Sequence, residues 1–186
     1  MTHRTVRITG LALAMGLATL LSAGCASRWE QPTEQDGSWC YWFGRSPAKK
    51  RTQTCTPHPV PDLQTDLQAK TFTPAADAVT VYVVRRSMND YRYQVPVLVD
   101  GTHSVDTIPG SYLRLKLQPG AHKLSIAWRG QVSEQTIAGN AGDIRLLQVA
   151  GLSTDEDSQF SWGDQTADDT RQRVLKAKLI RDLDLR

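Results

Sequence analysis

Six runs between residues 79 and 149 repeat with a period of two, and that pattern constrains the fold more than anything else in the 186-residue chain. Side chains alternate across a strand but rotate around a helix, so a sustained period of two points to strands. Val79, Val81 and Val83 alternate with Thr80, Tyr82 and Val84. Tyr91, Tyr93, Val95, Val97 and Val99 alternate with Arg92, Gln94, Pro96 and Leu98. Pro96 has no N–H to give a ladder, which places that strand at an edge or at a bulge. Leu113, Leu115 and Leu117 alternate with Arg114, Lys116 and Gln118, the pattern of a strand with one face buried and one in water. Leu124, Ile126 and Trp128 follow, then 132–137 and 144–149. Asp100-Gly101, Pro109-Gly110, Pro119-Gly120, Arg129-Gly130 and Gly139-Asn140 separate the runs, each a turn-forming pair. Short strands at this spacing make a sandwich or a barrel.

The flanks read differently. Residues 26–77 hold most of the prolines and keep no period, so a tether is expected there. Pro57, Pro59 and Pro61 favour extended, spacer-like backbone. Beyond a polar stretch, residues 166–182 read as a helix. Thr166 caps it, Asp168 and Asp169 occupy the first turn, and Lys176, Lys178 and Arg181 the last, in keeping with the helix dipole. Leu175, Leu179 and Leu183 recur at four-residue intervals beside Val174 and Ile180, a stripe able to lie on the sandwich. Leu183-Asp184-Leu185 can instead form a short strand.

The beginning of the chain carries an address. His3, Arg4 and Arg7 are basic, and residues 10–21 are apolar except for Thr19. That run falls short of the roughly 20 residues a spanning helix needs. Leu21-Ser22-Ala23-Gly24-Cys25 follows, and small residues directly before a cysteine resemble the bacterial lipobox. The resemblance implies a signal peptide over residues 1–24, a diacylglyceryl thioether on Cys25, and acylation, as by palmitate, of the new N-terminus. Ala26, not being aspartate, implies sorting to the periplasmic side of the outer membrane, where the membrane itself is a partner through the lipid anchor.

Lipidation of Cys25 leaves Cys40 and Cys55, the other two cysteines, as a pair. In an oxidising periplasm such a pair reads as a disulfide, its loop of about 15 residues worth roughly 3 kcal/mol in the chain-entropy model. The competing reading is a metal site, for which only His58 lies nearby, so no metal and no cofactor is expected. Charge excludes a further class. The 22 basic residues fall to 20 without Arg4 and Arg7, against 19 acidic ones. Nucleic-acid readers need a concentrated basic face, and no nucleic-acid partner is expected.

From Ala69 to about Gly151 the chain resembles a domain-of-unknown-function family of small prokaryotic lipoproteins. The residues are Lys70-Thr71-Phe72-Thr73-Pro74 leading into Val81-Tyr82-Val83-Val84-Arg85, then Val97-Leu98-Val99-Asp100-Gly101, Gly110-Ser111-Tyr112, and Leu117-Gln118-Pro119-Gly120-Ala121-His122. The same rhythm occurs in PEGA-type surface domains. The resemblance implies a β-rich fold and a surface location, and it carries no enzymatic activity. The expected architecture is mostly β, an Ig-like or transthyretin-like sandwich of about six to seven strands with a C-terminal helix. Its expected divisions are a signal peptide over 1–24, a lipidated tether with a disulfide loop over 25–77, the sandwich over 78–151, and a polar loop with the helix over 152–186.

Few residues suggest chemistry. Asp100 before Gly101 reads as a hairpin turn, and His122, at a strand start, as packing or bonding the turn backbone. His58 and His103 stand in separate polar segments, and Asp155, Glu156 and Asp157 read as a solvated loop. No G-x-S-x-G, H-E-x-x-H or Gly-rich phosphate loop occurs, so no catalytic residue is assigned. The aromatic cluster Trp39, Tyr41, Trp42 and Phe43 around Cys40 is the candidate binding site. It can pack beside the sandwich, lie at lipid headgroups, or stack on a ligand. The expectation is therefore a non-enzymatic interaction or scaffolding module with an envelope protein partner, or alternatively a glycan- or peptidoglycan-binding sandwich.

Overall fold

A computed structural model describes residues 33–35, 37–43, 52–86, 93–153 and 158–186. The segment 1–24, Cys25, Ala26, Tyr91 and the acidic run 155–157 lie outside these residues. In chain order the elements begin with β1 (Thr33–Gln35), β2 (Ser38–Phe43), β3 (Thr52–Thr56) and α1 (Leu63–Ala69). Then come β4 (Val79–Arg85), β5 (Val95–Val99), β6 (His103–Thr107), β7 (Ser111–Leu117), β8 (Gly120–Trp128) and β9 (Gln131–Gly139). The chain finishes with β10 (Ile144–Ser153), β11 (Ser158–Trp162), α2 (Ala167–Lys176) and β12 (Lys178–Asp184).

Two sheets form the expected sandwich. One has five strands in the order β11-β10-β4-β7-β12, the other four in the order β6-β5-β8-β9. The apolar faces meet in one core, where Val79, Val81 and Val83 of β4 and Leu113, Leu115 and Leu117 of β7 oppose Val95, Val97 and Val99 of β5 and Leu124 and Ile126 of β8. The five-stranded sheet is mixed, since β10 runs parallel to β4 and β12 parallel to β7. Its far face is also covered. Tyr82, Val84, Tyr112 and Leu179 pack there with Ala69 of α1, Phe72, and Val174 of α2. Cover on both sides explains why every residue of β4 is buried and why that run has no polar face. The four-stranded sheet instead keeps a wet outer face, where Lys123 of β8 pairs with Glu134 of β9 at 2.9 Å.

Several elements depart from the expectations. The sandwich sheets hold nine strands because β6 and β11 are polar and short, and β12, apart from the strand alternative at Leu183 and Asp184, lay hidden in a helical pattern. The helix expected over 166–182 ends at Lys176, and Leu179 and Ile180 are buried strand residues. Thr166 does cap it, accepting from the Asp169 N–H at 3.2 Å. The strand containing Pro96 is interior, between β6 and β8, but the β8 ladder covers only Val97, Leu98 and Val99, so Pro96 meets no ladder on that side. The described residues between 33 and 77 hold more secondary structure than a tether. They supply the three-stranded sheet β1-β2-β3 and helix α1, whose Asp62 cap accepts from the Thr65 N–H at 2.8 Å. Two tight turns act as the sequence suggests. Arg129 and Gly130, at φ 47° and 81°, join β8 to β9, and Asp100 and Gly101, at 52° and 69°, turn β5 into β6, the left-handed pairs that suit hairpin twist.

Candidate functional site

Cys40 and Cys55 face each other across β2 and β3 and form a disulfide. Those thiols are thereby unavailable to a metal, and His58 is an exposed residue just beyond β3. The bond staples a sheet that is docked on the body. Tyr41, 2% exposed, enters the main core, and Lys178 of β12 lies 4.7 Å over its ring. Burial, reinforced by the charge of Asp66, raises the Tyr41 pKa, so its hydroxyl stays protonated. That hydroxyl is buried without a hydrogen-bond partner among the described residues. Gln94, ahead of β5, donates to the Cys55 carbonyl at 2.7 Å. Trp39, two residues from Tyr41 and on the same face of β2, is half-buried. The backbones of Trp42 and Phe43 continue β2 against Gln53 and Thr52, and their side chains lie outside the described residues.

The histidine and aspartate of the turn motifs come together. The Asp100 carboxylate accepts from the Lys123 N–H at 2.8 Å and faces Nδ1 of His122 at 2.7 Å. Nε2 of the same ring faces the Gln118 carbonyl at 2.7 Å. Two acceptors flank the ring, so both bonds are made only by the doubly protonated imidazolium. Burial opposes that charge. The Asp100 hydrogen bond, the Gln118 carbonyl and the Asp100 charge outweigh it and raise the His122 pKa. For Asp100 partial burial again opposes ionisation, and the bonds from His122 and Lys123 overcome it, lowering its pKa. His103 is exposed, its Nδ1 3.0 Å from the Thr102 hydroxyl.

Asp66 on α1, the most deeply buried carboxylate among the described residues, was not foreseen. One oxygen accepts from the Leu179 N–H at 2.9 Å and the Tyr112 hydroxyl at 3.0 Å. The other accepts from Lys70 at 2.7 Å. In sequence it is an unremarkable Asp in a Gln- and Asp-rich stretch, and only its spacing to Lys70, one helical turn later, was readable. Arg114 and Asp182 form a bidentate pair across β7 and β12 at 2.8 and 2.5 Å. A second aromatic group, also unforeseen, closes one end of the sandwich. Tyr93, Trp128 and Phe160 meet edge to face, and Arg85, buried, lays its guanidinium 4.8 Å over Phe160 while donating to the carbonyls of Tyr93 and Thr107. These residues come from three strands, β4, β8 and β11, and from the segment ahead of β5, which is why no local motif announced them.

Among the described residues no three His, Cys, Asp or Glu side chains converge as metal ligands. What fold and geometry define is a two-sheet β-sandwich with helices on one face and a disulfide-stapled hairpin sheet on its flank. No family model matches the chain, and no curated protein matches it in sequence.

Proposed function

We propose that this chain is an envelope lipoprotein, anchored through Cys25 to the periplasmic side of the outer membrane, whose sandwich acts as a non-enzymatic interaction or scaffolding module. The lipobox-like start supports the anchor. The observation that carries the module reading is how the ionisable groups that join its elements are used. Asp66 ties α1 to β7 and β12, Arg114 and Asp182 tie β7 to β12, and Asp100 and His122 tie the β5–β6 turn to β8. A general acid or base must exchange its proton with a substrate, whereas these groups are committed to bonds between elements.

Photo-cross-linking side chains at Val132 and Leu152, 62% and 67% exposed, test the reading in whole cells. The expected result is a discrete adduct with one envelope protein that is lost when Cys25→Ser prevents anchoring. Half-buried Trp39 favours the second reading, binding of glycan or peptidoglycan at the hairpin sheet. Sedimentation with peptidoglycan that Trp39→Ala abolishes, with no protein adduct at either position, would replace the scaffold reading by that one.

A further inference from the structure

A cavity of about 370 Å³ opens where the end of β4, the turn before β7 and the last turn of α2 meet. That is within the usual range for small-ligand sites, about 300–1,000 Å³. Val84, Gly110 and Ala177 line it, with Arg86, Arg173 and Lys176 contributing its charge. The backbone around it is fixed by three hydrogen bonds: Gly110 N–H to the Arg85 carbonyl at 3.1 Å, Lys178 N–H to the Gly110 carbonyl at 3.0 Å, and Ala177 N–H to the Arg173 carbonyl at 3.0 Å. The backbone at Gly110 and Ala177 is therefore set before a ligand arrives, and it is the long side chains that binding must order.

Local structure accounts for only part of that charge. Arg173 and Lys176 sit in the last turn of α2, where cations complement the helix dipole. Arg86 comes from another element, the residue after β4, and shares the cavity with them. Bringing like charges together costs Coulomb energy unless something compensates it. Among the described residues no carboxylate forms an ion pair with any of the three, and none lines the cavity. Arg85, also lining the site, turns its guanidinium into the core, leaving its neighbour Arg86 exposed at the cavity.

We propose that this cavity binds a phosphate group, carried by a lipid headgroup or by a small soluble phosphate compound. Guanidinium forks match phosphate oxygens, and a multiply charged anion answers three cations lining one cavity better than a single carboxylate does. The inference goes beyond the scaffold reading and does not depend on it, since none of Cys40, Cys55 and Trp39 lines the cavity and either can fail alone.

The test follows the amide resonances of Gly110 and Ala177 in the full-length protein. Inorganic pyrophosphate is titrated against protein in dodecyl maltoside micelles, which carry no phosphate, and nanodiscs containing phosphatidylglycerol form a second arm. Saturable shifts at these amides are expected in at least one arm. Pyrophosphate alone points to a soluble ligand and phosphatidylglycerol alone to a headgroup. Arg86→Ala with Arg173→Ala should weaken binding by at least about tenfold, the loss expected from removing charge-assisted bonds. Lys176→Gln, at an exposed position, gives a second variant should the double one fail to fold. Shifts in neither arm, or shifts that folded variants leave unchanged, would overturn the proposal.

Discussion

A carboxylate that is 1% exposed withstands burial only if its oxygens are met by donors, and Asp66 has three of them. Asp66→Ala would strand the Leu179 N–H, the Tyr112 hydroxyl and the Lys70 ammonium together. Urea unfolding should show a loss of about 3–5 kcal/mol, the cost of breaking a buried pair from one side. Asp66→Asn keeps an acceptor for Leu179 and should lose less, and equal losses in the two variants would mean that the contacts are not the cause. The Asp100–His122 pair acts through pH. The raised His122 pKa means that its contribution is complete below the ordinary 6.5 and fades as pH climbs through the higher folded value. The lowered Asp100 pKa gives a contribution complete above 3.8 that fades as pH falls through the folded value. The staple is thus strongest between those limits. Because the Asp100 side chain is 44% exposed, solvent screening keeps its worth under about 1 kcal/mol. Wild type should lose more stability than His122→Gln between about pH 5 and pH 8, and parallel curves would dismiss the pair as a contributor.

Leu175, Leu179 and Leu183 share a helical spacing, yet the chain leaves α2 after Lys176 and enters β12. Ala177 is extended, at φ −86° and ψ 172°, and β12 then gains a ladder along β7 and the Asp66 bond at Leu179. Leu175 remains 41% exposed while Leu179 is fully buried. Leu179→Ala should therefore cost about 2–5 kcal/mol in thermal or urea unfolding, and Leu175→Ala within about 0.5 kcal/mol of nothing. Comparable losses would restore the long helix. The contrast marks what the sequence could reveal. The runs of β4, β7 and β8 were legible because burial of one or both faces is written in their alternation, and the turns because Gly is needed at positive φ. β6, β11 and β12 were not, since short strands of mixed polarity are decided by partners distant in the chain. The same holds for the hairpin sheet, whose cysteines were readable but whose docking rests on Tyr41 reaching a core assembled elsewhere. Replacing Cys40 and Cys55 by Ala should lower stability by up to roughly 3 kcal/mol while the sandwich keeps a cooperative melt. Hydrogen exchange should quicken first at β2 and β3, and collapse of the whole near-ultraviolet signal would make the disulfide a condition of folding.

The two faces of the sandwich have different neighbours. Helices α1 and α2 cover the five-stranded sheet, whereas the four-stranded sheet presents Lys123 and Glu134, 55% and 49% exposed, to solvent. A partner meeting the wet face would find polar side chains and a neutral ion pair, the composition of a transient rather than an obligate interface. Weak contact of that kind gains most from being confined to a surface, because attachment raises the effective concentration of the two components without adding a contact. This is where the proposed anchor matters for the molecule as a whole. One acyl chain holds a protein to a bilayer only marginally, and stable attachment takes more than one, which a thioether diacylglyceryl group plus an amide-linked chain would supply. Cys25→Ser should therefore move the chain from the outer-membrane fraction to soluble material or to an uncleaved inner-membrane precursor, without altering the melt of the sandwich. Radiolabelled palmitate should enter wild type and not the variant. Equal labelling of both would exclude Cys25 as the acceptor, and unchanged outer-membrane fractionation of an unlabelled variant would show that protein contacts, not lipid, hold the domain at the envelope.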